Sequence, residues 1–326
     1  MSRWHLHPGF PLLMALAALA CIQSLPASAQ DYPSRPIRMV TIYTENAGSV
    51  RERLLANRMG EQLGVAMVYE SKAGGSGVIA MREVYRAQPM GYSLLMTSNN
   101  FIGNTLAFKE PGYRIDDYTP VGVMGLTPYA LVMNRALPAT SLAQFVAYAK
   151  ANPGKINYGS LGLASGSNIS AERFKQMTGI SMTGIQYKGG DQMALAMLAG
   201  DIQVSWLTLN SARTRMQNKQ IMGVATAGDE RSAQMPELPT FKELGYPEMD
   251  TNSWYAVMAP AALPAPMLAK LREAYTRVTD NAEWRALMVQ NQLDPFKGTH
   301  EQFMAAVKKE AAKLSADYKR LNLPQE

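Results

Sequence analysis

Apolar and polar positions alternate in short runs from Ile37 onward and mark out a recurring order of elements. Ile37 to Ile42 (I-R-M-V-T-I) reads as a strand, with Tyr32-Pro33-Ser34-Arg35-Pro36 as its lead-in. Thr44 to Ser49 is turn-rich, and Val50, Leu54, Met59 and Leu63 then recur at helical spacing. Val65 to Tyr69 is a second strand. Lys72-Ala73-Gly74-Gly75-Ser76-Gly77 leads into a helix through Ala87, and Tyr92 to Thr97 is a third strand after the Pro89-Met90-Gly91 turn. Strand and helix in alternation predict a parallel α/β sheet with right-handed crossovers.

After Ser98-Asn99-Asn100 the pattern loosens. Pro120 to Met124 and Tyr129 to Met133 read as two strands with no helix between them, carrying the chain into a second domain. Ser141 is placed to cap a helix that reaches Ala151 and stops at Asn152-Pro153-Gly154. The stretch from Ile156 to Gly190 follows, in two halves. I-N-Y-G-S-L-G-L-A-S-G-S-N runs into a helix, and G-I-Q-Y-K-G-G-D opens another that reaches Ala199. Ile202 to Trp206 and Ile221 to Thr226 are further strands, with Ser211 to Gln217 helical between them. Asp229 to Asp250 is loop, and Trp254 to Ala259 is a strand returning to the first domain. Three helices close the chain. One starts at Pro266, one spans Ala282 to Asn291, and the last carries Phe303, Val307, Ala311, Leu314, Tyr318 and Leu321 on one face. A chain that leaves one α/β unit, builds a second and comes back crosses twice between them. The cleft at the carboxyl ends of the strands is where a ligand is expected, and the crossings serve as a hinge.

The two Gly/Ser loops of the central stretch carry the chemistry. Each ends a strand and opens a helix, so backbone N–H groups and the positive end of a helix dipole point at one place. With no nucleophile, base or metal ligand beside them, such donors hold an anion, which points to a small carboxylate. Of the three histidines, His5 and His7 fall in the first thirty residues, leaving His300 alone before the last helix. No G-x-S-x-G elbow is present, zinc-type ligand sets are missing, and Gly74-Gly75-Ser76-Gly77 has no lysine placed as in a P-loop. Neither catalysis, nor a metal, nor a cofactor is expected.

Composition adds compartment and size. The 326 residues are 47% apolar and 18% charged, an ordinary globular balance with room for about two domains. Arg3, His5 and His7 precede an apolar run from Pro11 to Leu25, then Pro26 and Ala27-Ser28-Ala29. This reads as a signal peptide over residues 1–29, cleaved before Gln30, and the product is expected in the periplasm. Cys21, the one cysteine, lies inside the signal, so the mature chain has no disulfide. Ala18-Leu19-Ala20 before it makes a poor lipidation box. The formal charge of +6 is spread along the chain without a basic run, which argues against nucleic acid and leaves a mild field for an anionic ligand.

Nearly the full mature length resembles the extracytoplasmic solute receptors of tripartite tricarboxylate transporters, the Bug family. The matching residues are Y-P-S-R-P-I-R from Tyr32, V-Y-E-S-K-A-G-G-S-G from Val68, P-M-G-Y-S-L-L from Pro89 and D-D-Y-T-P-V from Asp116. A-N-P-G-K-I-N-Y-G-S from Ala151, Y-K-G-G from Tyr187 and E-L-P-T-F-K-E-L-G-Y from Glu237 complete the series. The resemblance implies an α/β, two-lobed, type II-like periplasmic binding protein, each lobe a mixed, mostly parallel sheet flanked by helices. Residues 30–130 plus 251–326 would form one domain and 131–250 the other. It further implies a carboxylate ligand, gripped by the loop after the first strand and the Tyr-Lys-Gly-Gly loop, and a monomer that delivers it to membrane transporter subunits. A receptor signalling to a membrane sensor is the alternative, and a hydrolase the remote one. The family's first loop is typically Pro-Pro-Gly-Gly with Asp soon after. This chain has Thr44-Glu45-Asn46-Ala47-Gly48-Ser49-Val50, and Glu45 would bring negative charge toward the carboxylate.

The expected ligand set is therefore Tyr187, Lys188, Gly189 and Gly190, with Ser160, Ala164, Ser165 and Ser167 from the neighbouring loop. Asn46, Gly48 and Ser49 form the facing wall, and Thr97, Ser98 and Asn99 end the third strand. Trp206 and Trp254 are candidate platforms for an apolar ligand body, core packing being the other reading. The loops read alternatively as plain strand-to-helix turns, with Lys188, Lys72 and Arg51 solvated.

Overall fold

A computed structural model describes residues 32–43, 50–87, 90–232, 235–291 and 293–325. The expected signal peptide, with Cys21, and the loop residues Asn46, Gly48 and Ser49 lie outside the described residues. Residues 32–34 stand apart from the unit Arg35–Glu326. All that follows concerns the unit Arg35–Glu326.

β1 (Ile37–Thr41), α1 (Val50–Leu63), β2 (Met67–Ser71), α2 (Val78–Arg86) and β3 (Ser93–Ser98) alternate as expected. β1 lies between β2 and β3, parallel to both, with Ile37 opposite Met67 and Arg38 opposite Ser93. α3 (Asn100–Ala107) follows, where no helix was expected. Its eight residues include a glycine and two β-branched side chains, a weak helix by propensity. Burial of Phe101, Ile102 and Ala107 in the core holds it instead.

β4 (Tyr118–Asn134) is one strand of 17 residues where two were expected. Two irregularities, at Pro120/Gly122 and Val123/Gly125, break its apolar pattern without breaking the strand. Gly125 at φ +156° is one that needs glycine, since a side chain there would meet Leu293 and the Asp294 carbonyl at 2.9 Å.

The chain continues through α4 (Leu142–Ala151), β5 (Ile156–Ser160), α5 (Gly166–Thr178), β6 (Met182–Gln186), α6 (Gly190–Ala199), β7 (Val204–Thr208), α7 (Leu209–Gln217) and β8 (Ile221–Thr226). β9 (Asn252–Pro260), α8 (Ala265–Thr279), α9 (Ala282–Gln290) and α10 (His300–Arg320) complete it. The sheet order is β2-β1-β3-β9-β4-β7-β5-β6, with β8 also on β4. β4 joins the two lobes: Tyr118–Pro128 pairs antiparallel with β9, and Tyr129–Asn134 with β7 and β8. Pro128 sits where one set of partners gives way to the other.

Each lobe has its own core. Val40, Leu95, Phe101, Met258, Phe303 and Val307 are central in the first. Leu131, Phe145, Phe174 and Phe241 are central in the second. α10 is secured at its start by a reciprocal cap between Thr299 and Gln302 and lays Phe303, Val307, Leu314 and Tyr318 into the first core. Among the described residues no helix is long and apolar enough to cross a membrane.

Candidate functional site

The carboxyl ends of β1, β3 and β5 each feed a loop that opens a helix: α1, α3 and α5. Thr97 and Ser98 end β3, buried and opposite Ala256 and Tyr255 of β9. Asn99 is buried, donates to the Asn252 carbonyl at 3.4 Å and accepts from the Ser253 hydroxyl at 3.4 Å, so it ties the end of β3 to the start of β9. Those two strands lie side by side here because β9 is the chain's return from the second lobe.

In the second lobe, the serines of the β5–α5 loop are committed to folding the loop. Ser165 caps α5 by accepting from Asn168 N and donates to the Gly162 carbonyl at 2.6 Å. Ser167 Oγ accepts from Leu161 N at 3.1 Å and lies 2.9 Å from Ser165 Oγ. Ser160 is buried, and its carbonyl accepts from Tyr187 N at 2.8 Å. That bond brings the two predicted loops together at one edge. Tyr187 is half-buried against a separate second-lobe cluster that includes Met193 and Ile202, Lys188 is exposed, and Gly189 is extended at φ −162°.

The structure reassigns several expected residues. Ala164 belongs to the first lobe's core although it comes from the second lobe: the β5–α5 loop reaches across. A side-chain carbon at Gly103 of α3 would stand 2.1 Å from the Ala164 carbonyl oxygen, and one at Gly162 would stand 2.2 Å from Ser76 Oγ. At Gly103 the obstacle is backbone, so only glycine permits the approach; at Gly162 the Ser76 hydroxyl can turn aside, and it is φ +106° that calls for glycine. Tyr318 of α10 lies 3.3 Å from the Leu163 carbonyl, and the Tyr129 ring packs on Gly166 at the start of α5. Gly74-Gly75-Ser76-Gly77, assigned no role from sequence, is thus part of the contact between lobes.

Trp206 and Trp254 are core residues. Trp206 is 1% exposed and its ring lies 5.5 Å from Phe174. Trp254 packs edge-on to Phe303, and its indole N–H donates to Glu310 at 3.0 Å. Packing has claimed both rings, so neither presents a platform.

The larger departure is at the start of α1. Of the stripe expected at Val50, Leu54, Met59 and Leu63, the last two are buried; the buried face also takes Arg51, Glu52, Leu55, Ala56 and Gly60, while Leu54 is half-buried and Val50 is 64% exposed. Two charges therefore head the buried face. Arg51, expected in solvent, is 8% exposed and Glu52 3%. The guanidinium donates to Glu52 Oε1 through Nε at 3.1 Å and also through Nη2, and it stacks 4.8 Å from the Tyr255 ring. Burial works against the arginine's charge, and Glu52 with Tyr255 and Tyr43 more than offsets it, holding the group above its ordinary value. Glu52 Oε2 is buried without a hydrogen-bond partner, and the buried Tyr43 hydroxyl has the Ser98 side chain beside it. An unpaired buried atom costs about 1–3 kcal/mol, more for a charged group.

Tyr43 is fixed at its backbone by two hydroxyls: its N–H donates to Thr41 Oγ1 at 3.2 Å, and Ser71 Oγ donates to its carbonyl at 2.7 Å. Burial pushes its phenol well above the ordinary range, Tyr255 adds to this, and Ser98 beside it acts the other way. Tyr43 and Tyr255 are 6.0 Å apart, ring to ring. Burial also raises Tyr129, which neighbours Tyr255, Ser253 and Asn99. A continuous polar set thus runs from Arg51–Glu52 through Tyr43, Ser98, Tyr255 and Tyr129 to the amino end of α5.

The model of the tripartite tricarboxylate transporter family receptor matches residues 52–323. The chain belongs to that family. It is 31% identical to protein BugT of Bordetella pertussis over 253 residues, 76% of each chain. It is 29% identical to a UPF0065 protein of the same species over 302 residues, 90% of this chain and 92% of that one. Among solved structures, R. palustris Rpa4515 with adipate is 27% identical, with a TM-score of 0.84 over 91% of this chain and 100% of that one. The family is one of transporter receptors, not of enzymes. In this TctC-family receptor His300 serves α10's packing: its Nε2 lies 3.0 Å from the Val121 carbonyl, and burial lowers its pKa.

Proposed function

We propose that this receptor is a periplasmic binding protein that takes a small organic carboxylate between its lobes and delivers it to a membrane transporter. Residues 1–29 act as the export signal, and 30–130 with 251–326 close on 131–250 about the crossings at β4 and β9. The observation that carries the reading is the buried Arg51 at the carboxyl end of the sheet, beside the amino ends of α1 and α3 and linked by tyrosines to the amino end of α5. Helix amino ends beside a buried guanidinium, whose charge Glu52 balances, favour an acid group that can take their N–H donors. Rpa4515, holding adipate on the same fold, supports the ligand class.

Ser98, Asn99 and the Tyr43–Tyr129–Tyr255 set form the first wall, with loop 160–168 as the second and Tyr187–Gly190 at its outer rim. The test is thermal unfolding of the mature protein with mono- and dicarboxylates. A ligand at 100 times its dissociation constant adds about 2.7 kcal/mol, several degrees in Tm. Arg51→Met should remove the shift. No shift with any carboxylate defeats the reading.

A further inference from the structure

Glu310 of α10 is half-buried beside the place where the chain crosses between the lobes, and its side chain accepts from the Trp254 indole N–H at 3.0 Å. Trp254 stands opposite Leu126 in the first lobe's part of β4. Three residues before it, the Thr251 carbonyl accepts from Tyr129 N at 3.2 Å, where β4 changes partners. Among the described residues no ion pair reaches Glu310, although its two acidic neighbours at this junction are each held twice. Asp250 is bonded by Arg173 of α5 and by Lys313, and Asp317 by Arg173 and Arg320. The junction's cations are thus engaged, and Glu310 has a neutral donor alone. A carboxylate drawn out of water without a counter-ion is disfavoured against its neutral acid.

We infer that Glu310 is a proton-operated catch on the hinge. As the neutral acid it lets α10 and β9 stay packed on α5 and the 248–251 crossing; as the carboxylate it draws in water there and frees the lobes to part. This rests on the reading above, in which the lobes move about β4 and β9. The groups that face Glu310 come from both sides of that movement. Trp254 of β9 and Lys313 of its own helix belong to the first lobe, Arg173 of α5 to the second, and Asp250 and Tyr129 lie at the crossings. Burial first, and Asp250 after it, hold the acid up to about 7, against Trp254, Lys313 and Arg173. Parting α5 from α10 removes the second-lobe share of that cover, so the open form returns the group toward its ordinary value of 4.5. The packed form therefore binds the proton more tightly. It is favoured below about 7 and loses ground as pH rises through that value.

The experiment is a pulsed electron-spin distance measurement on the ligand-free mature protein. Labels go on Lys270→Cys of α8 and Leu195→Cys of α6, both exposed and one in each lobe. The ratio of near to far populations should fall about ten-fold from pH 6 to pH 8, the change that one proton with a value near 7 produces. Glu310→Gln, which still accepts from Trp254 and cannot ionise, should hold the acid ratio at both pH values. Trp254→Phe removes the donor that favours the charge and should move the midpoint to higher pH. A group that only packs would leave the midpoint in place, so this variant covers the case in which Glu310→Gln fails to fold. A pH response that survives Glu310→Gln, or a ratio that does not change with pH in the parent protein, overturns the inference. Gly103→Ala, whose added carbon meets the Ala164 carbonyl, is the reference for parted lobes. If it lengthens the distance while pH does not, this inference alone falls. If neither alters the distance, the closing of the lobes falls with it.

Discussion

Gly103 is the residue on which the meeting of the lobes depends most, because the Ala164 carbonyl of the other lobe stands where its methyl group would be; Gly162 faces only the Ser76 hydroxyl, which can turn aside. Gly103→Ala isolates this. In an open helix the change would stabilise by about 1 kcal/mol, yet here the added carbon collides with the Ala164 carbonyl. Dissociation constants should rise about ten-fold or more, and the scattering radius with ligand should stay that of the free protein. Unchanged affinity would show that closure does not use this contact. Neither glycine was legible as a contact, because glycine in a turn-rich stretch reads as a turn and its partner lies far away in the chain. Arg51 and Glu52 were legible in principle: Leu55 and Ala56 stand one helical turn after them, on the face the helix buries. Reading the stripe from Val50 and Leu54 caught Met59 and Leu63 but missed the start of the face and left Arg51 in solvent.

At the level of elements, α5 and α10 come from different lobes and are joined by charge. Arg173 of α5 is 5% exposed and donates to Asp317 of α10 at 2.5 Å. Its other terminal nitrogen reaches the Glu248 carbonyl, Asp250 and Thr251, the segment that leads back to β9. Lys313 holds Asp250 from α10 at 2.5 Å. Arg173→Met should cost about 3 kcal/mol in denaturant unfolding, since Asp317 is left buried with Arg320 alone. Replacing both partners, with Asp317→Leu, should recover most of that loss. The period of α10 was readable from sequence, as were the parallel strands and both central helices. The ion pair spans 144 positions, and sequence carries no signal for such a partner. β4 and α3 were misread for a related reason: pairing and burial, not local pattern, decide them.

For the whole molecule, the same junction sets a pH response. Glu310 of α10 is pushed up to about 7, first by burial and further by Asp250, while the Trp254 N–H, Lys313 and Arg173 act the other way. The folded state therefore binds a proton more tightly than the unfolded chain, whose value is near 4.5. The stability this supplies is complete below the unfolded value and disappears as pH rises through about 7. Wild type should lose about 2 kcal/mol between pH 5 and 8 that Glu310→Gln retains, measured by chemical denaturation across that range. A parallel pH profile for the two would remove Glu310 from this role.

The unbroken run of β4 has a mechanical consequence. A 17-residue strand extends about 55 Å, and its hydrogen-bonded neighbours change over between Pro128 and Tyr129. A ribbon clamped at both ends bends poorly in its own plane and yields more readily to torsion. Admission of a guest should then be a screw-like rotation of one half against the other, returned by the elasticity of the backbone, and spin labels on α3 and α6 would record a turn with little translation.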